Sequence, residues 1–319
     1  MEQLYLQCKN YLTQYDSYQS YEDIRKQLLQ ICKVNYDIHN CNLPLEISFE
    51  EDEKFGNQGK VVNKYHIKIN TLRIETLKEL KIDCFDPNHI SNLYDFYANY
   101  NPFNSSKYEQ CLYEYIKKYI SLGYQDCFDQ MGSYKNIKYE ILETILHESK
   151  HTFQSDLLTQ IYDNNTSLTE DNCLDFFVVI FDRMYKTLRN NNTCIDYVRD
   201  NATFPIEHDA RHYAMVTMDN IRKLYFAHDK DFARAIVNSN IIPEDINVDD
   251  ISKKIFDDYT LISNEYFKTN NDFAHEHQQI LAHKNDIINK LISRYNQMLS
   301  IVSTNREILY PHLTDTLTP

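Results

Sequence analysis

Tryptophan is absent from this chain, and turn-forming residues are scarce, with four glycines and seven prolines in 319 residues. So few disfavour a many-stranded sandwich or a doubly wound sheet, because both need many tight turns. Helices are the expected alternative. Cysteine occurs eight times but never as a C-x-x-C pair, which argues against a cysteine zinc site. No secretion signal is readable, so these cysteines are expected as free thiols in a reducing, cytoplasmic setting. No run of 18 apolar residues exists, so no membrane-spanning helix and no membrane partner are expected. Lys and Arg total 33 against 47 Asp and Glu, a net charge of −14. The cations form no stripe, so nucleic acid is not an expected partner either.

What the chain does have is a 42% hydrophobic content, ample for a buried core, arranged mostly with helical spacing. Residues 2–35 read as one or two helices. "LPLEISFEED" alternates instead, with Leu45, Ile47 and Phe49 on one side. "KFGNQGK" reads as a turn, and "VVNKYHIKINTLRI" resumes the alternation through Tyr65, Ile67 and Ile69. A small antiparallel sheet or hairpin is therefore expected across 44–74. Residues 75–136 look mixed, with loop and short helices before a helix from about 107 to 123. Longer helices follow over about 136–162, through Leu174, Phe177, Val178 and Phe181, and from Pro205, which suits a first helical turn. The tail from 226 reads as all helical. Its last segment, 271–303, carries one apolar stripe from Phe273 to Val302 that includes His277. The expected division is a helical segment over 1–40, a core over 41–225 and a helical region over 226–319.

The chemistry is concentrated in "LETILHESKHTFQ", residues 142–154. A helix turns 100° per residue, so His147 and His151 stand about 40° apart and both imidazoles can reach one point. Glu148 lies about 100° round from His147, badly placed to ligate but close enough to touch a water beside the ion. This is why H-E-x-x-H suits a zinc site with a carboxylate base. Ile141, Leu142, Ile145, Leu146 and Phe153 form the apolar back of the same helix. Glu140, Glu143 and Gln154 flank the histidines, and either glutamate is placed to orient an imidazole. The best third ligand is Glu207, which begins a stripe with Ala210, Arg211, Ala214 and Met218 in "FPIEHDARHYAMVTM". His212 or Tyr213, on the same helix, are candidates to stabilise an oxyanion. His208 and His212 are themselves four apart and form a rival metal pair. His275 and His277 point to different faces and make a poor chelate.

"HESKH" together with "PIEHDARHYA" resembles the zincin-like H-E-x-x-H metallopeptidases of the gluzincin type, in which a second helix supplies a glutamate ligand. It is also similar to bacterial zincin-like proteins whose second helix reads roughly E-x-D/E-A-x-x-F/Y-A, matched here by Glu207, Asp209, Ala210, Tyr213 and Ala214. The likeness spans about residues 44–220. It implies an α+β, mostly α-helical fold: a zincin-like core with a small antiparallel β-sheet and the H-E-x-x-H helix. It implies zinc as cofactor and a protein or peptide as substrate. "KYHIKIN" would be the edge strand beside which substrate is laid out. Two features depart from the family pattern. Lys150 puts a charge inside the motif, and the N-E-x-x-x-D second motif is absent. The alternative expectation is a catalytically inactive zincin-like protein serving as a binding or regulatory module.

Overall fold

The computed structural model describes residues 1–39, 41, 45–52, 58–63, 66–84, 86–121, 132–191, 204–240, 242–243 and 245–311. Among these the chain is mostly helical, with one three-stranded mixed sheet, an α+β composition. It divides into two compact units, one of Met1–Ser149, Thr217–Ser239 and Asn305–Pro319, the other of Lys150–Val216 and Asn240–Thr304.

The first unit opens with α1 (Glu2–Gln14), a 3₁₀ turn (Tyr15–Ser17) and α2 (Tyr21–Ile38). Ser20 starts α2 by accepting the Asp23 N–H, one of the donors that a helix start leaves unpaired. Three strands follow: β1 (Glu46–Glu50), β2 (Gly59–Asn63) and β3 (His66–Asn70). Asn70 ends β3 and caps α3 (Thr71–Glu79) through the Leu72 N–H. Then come α4 (Pro87–Ala98), with proline at its first position, and α5 (Lys107–Ser121). The span expected to be loop with short helices thus holds a 12-residue helix. Tyr65 and residues 122–123, which entered the sequence reading, lie outside the described residues.

The sheet corrects the antiparallel expectation. Its order is β1-β3-β2; β2 pairs antiparallel with β3, but β1 pairs parallel with it. The same result moves "KYHIKIN" from the edge to the centre. Ile67 and Ile69 are fully buried, whereas β2 is largely exposed, with Val62 at 53%. Strict alternation marks a strand with one buried face, and the central strand shows it best. It carries no information about which strand lies next to which.

Helix α6 (Ile137–Tyr162) carries the histidine motif and begins in this unit. Its start is seated by several contacts. Tyr11 donates to the Lys138 carbonyl at 3.3 Å, and Tyr139 stacks on Phe232 at 4.5 Å while donating to Asp229 at 2.6 Å. Glu140 pairs with Arg73 at 3.4 Å, and Gly132 (φ 79°) sits so close that any Cβ would meet the Glu140 carboxylate. Glu140 is therefore committed to Arg73. Burial nevertheless pushes its carboxyl upward, against the pull of that guanidinium.

The second unit is built on α7 (Cys173–Asn190), which packs against α10 (Val248–Tyr266) and α11 (Ala274–Ala282). Leu174, Phe177, Val178 and Phe181 are all buried, as their spacing predicts. Phe177 stacks on Phe256 at 5.6 Å and Tyr259 sits against Phe181. Most of α8 (Pro205–Tyr225) and α12 (Lys284–Leu309) also belongs to this unit, whereas α9 (Lys230–Asn238) belongs to the first. The final stripe is one in phase but two in structure, because the helix breaks at His283 between α11 and α12. Every stripe residue from Phe273 to Val302 is buried, including His277, whose ring nitrogen bonds Tyr259 at 2.9 Å. Six of the cysteines (Cys8, Cys32, Cys41, Cys84, Cys111 and Cys173) are free thiols. No described helix is long and apolar enough to cross a membrane.

Candidate metal centre

Helix α6 is buried on several sides at the motif. Leu142, Ile145 and Leu146 are fully enclosed, and even His147 and Glu148 are only 7% and 9% exposed. A helix packed this tightly admits polar groups only where partners meet them. Among the described residues, His147, His151 and Glu207 form a group in which one ligand atom from each lies within 4.8 Å of the others. His151 Nε2 and Glu207 Oε2 are 3.4 Å apart. Two ligands each about 2.0–2.2 Å from a tetrahedral zinc stand roughly 3.3–3.6 Å apart. The separation of His151 and Glu207 matches that spacing, and two imidazoles with a carboxylate are donor types that zinc takes.

The orientation of His151 has a visible cause. Its Nδ1 meets Gln154 Oε1 at 2.7 Å, and an amide oxygen only accepts, so Nδ1 carries the proton and the lone pair lies on Nε2, the nitrogen beside Glu207. Gln154 is fixed in turn, because its amide nitrogen donates to Asp209 at 2.8 Å and to the Ile206 carbonyl at 3.1 Å. Asp209 also meets Lys150 at 3.2 Å and Arg294, and Asp175 meets Lys150 and Arg294 at 3.5 Å each. Burial alone would raise the Asp209 carboxyl, but Lys150 and Arg294 hold it well below the usual carboxylate range. Burial likewise works against the charge on Lys150, and the two aspartates more than restore it. The charge inside the H-E-x-x-H motif is thus one of two cations in a partly buried cluster with two aspartates, and Asp209 in that cluster ties Gln154 down.

Gln154 is the positioning residue missed by sequence reasoning, which looked to Glu140 and Glu143 to orient the imidazoles. Its spacing, three after His151 on one helix face, was the available signal. Gln154→Ala is expected to weaken zinc binding by ~10–100-fold with the fold kept, measured by competition against a fluorescent chelator.

The other sequence candidates lie elsewhere on α8. His208 is buried against Tyr295, ring centroids 4.0 Å apart, and burial pushes its pKa down to about 3. His212 bonds Gln297 at 2.8 Å, and burial with Arg294 nearby lowers it to about 4. Both turn toward α12, so neither joins the metal group. Tyr213 sets its ring edge-on to Phe153 at 6.4 Å.

Glu148 stands on the sheet side. Its Oε2 accepts the Val61 N–H of β2 at 2.9 Å. Gly59 on the same strand sits over Thr144, where a Cβ would come within 2.5 Å of the threonine methyl. Glycine is what lets β2 lie this close to α6.

Comparison with known protein families, curated proteins and solved structures finds no match for this chain.

Proposed function

We propose that this protein is a zinc-dependent hydrolase of peptide bonds built on a zincin-like core, with His147, His151 and Glu207 holding the ion. One observation carries the reading: two helices bring an imidazole pair and a carboxylate into a single cluster, with Glu148 adjacent in the motif. When bound, zinc in such a site lowers the pKa of a water in its open position and polarises the scissile carbonyl.

The chain's own groups do the rest. Gln154 keeps His151 in the tautomer that offers Nε2. Glu148 takes the proton of the attacking water and then passes it to the leaving amine nitrogen, one carboxylate serving as base and then acid. His212, held by Gln297, and Tyr213, set against Phe153, remain the candidates for oxyanion donor.

The test is incubation of the zinc-loaded chain with β-casein, a disordered protein rich in accessible peptide bonds. Cleavage that stops with a chelator and returns with zinc supports a hydrolase. Stoichiometric zinc without cleavage of any disordered substrate favours the second reading, a zinc-holding binding module.

A further inference from the structure

Glu148 is engaged by the edge of the sheet, and that contact restrains the group assigned as general base. In an antiparallel strand, alternate residues turn N–H and C=O toward opposite sides. The Gln58 carbonyl accepts the Asn70 N–H at 2.9 Å, so the backbone of Gln58 and Lys60 faces β3, ahead of the register shift between Val61 and Asn63. Gly59 and Val61 must then turn theirs outward, away from the sheet. Sheet order makes this the free edge, since β2 has β3 as its neighbour on one side and no strand on the other among the described residues. An edge N–H of this kind is a ready donor for an added extended chain. Here the donor at Val61 is given to Glu148.

We propose that the Val61 N–H is a latch on Glu148 that an extended segment of a polypeptide substrate releases, its carbonyl replacing the carboxylate at the edge of β2. The inference rests on the hydrolase reading and adds a regulation of the same site. In the resting protein one carboxylate oxygen is spent on the strand. Docking of an extended chain returns it to the water. A substrate too short or too folded to pair with β2 leaves the latch closed, which makes the strand a selector for unstructured polypeptide. The same contact orders β2 before substrate arrives, so pairing begins on a strand already extended.

The experiment compares two zinc-loaded, non-cleaving variants of the full chain. Glu148→Gln keeps an acceptor for Val61, while Glu148→Ala removes it. The Val61 amide, followed by ¹⁵N-valine labelling, is expected to exchange with solvent at least ~10-fold faster in Glu148→Ala, and β-casein to bind that variant about five-fold more tightly. Val61→Pro in the Glu148→Gln background removes the donor and is expected to weaken casein binding about ten-fold, with zinc uptake unchanged. Equal exchange and equal casein affinity in the two Glu148 variants would overturn the latch, as would casein that leaves the Val61 amide unmoved. If Val61→Pro unfolds, as judged by circular dichroism, the Glu148 pair decides alone. Zinc content measured in parallel separates the two levels: a chain that takes up no zinc removes the hydrolase reading and leaves the Val61 exchange result standing.

Discussion

Glu148→Gln is expected to slow peptide hydrolysis by ~10²–10⁴-fold while the chain still takes up one zinc. Glu148 follows His147 by one residue on α6, so it points about 100° away from the imidazole and outside the His147–His151–Glu207 group. Removing its charge takes away the proton acceptor and leaves the ligands intact. The amide is isosteric and still accepts the Val61 N–H, so β2 and α6 keep their seating. Rates on casein with zinc content measured on the same samples decide the matter. Full activity in the variant would remove Glu148 from the chemistry, and lost zinc would make it a ligand.

Asp209→Ala has the second largest expected effect, and it is on stability. Asp209 is 2% exposed and receives Lys150, Arg294 and Gln154 together. Its removal leaves Lys150 and Arg294, both partly shielded from water, sharing the half-exposed Asp175. Leaving a partly buried charge without its main partner costs about 1–3 kcal/mol, because water screens Lys150 and Arg294 in part and Asp175 stays beside them. Urea denaturation of the zinc-free protein is expected to show a loss of that size. The double variant Lys150→Met/Asp209→Leu, which removes charge from both sides, is expected to lose less. A single variant as stable as the parent would mean that the cluster is solvated.

Much of the centre is legible in the residues. Two histidines four apart on an apolar-backed stretch define a helix face, and α6 spans Ile137–Tyr162 against an expectation of about 136–162. Pro205 marks the start of α8, and Glu207 two residues later reaches His151. What is not legible depends on distant pairings. Arg294 meets Asp209 from 85 positions away, and nothing local to either residue announces the other. Lys150 reads as a departure from the family pattern until Asp175 and Asp209 are seen around it. The strand order fails for the same reason. Alternation at Ile67 and Ile69 reports a buried face, whereas the parallel pairing of β1 with β3 is set by packing.

Isothermal titration of zinc into the metal-free chain, beside Glu207→Ala, tests the proposed His147–His151–Glu207 ligand set most directly. One zinc per chain is expected, with affinity at least ~10-fold weaker in the variant, because a ligand rather than a supporting group is lost. A parent chain that binds no zinc, or a Glu207→Ala variant that binds it equally well, would contradict the three-ligand centre.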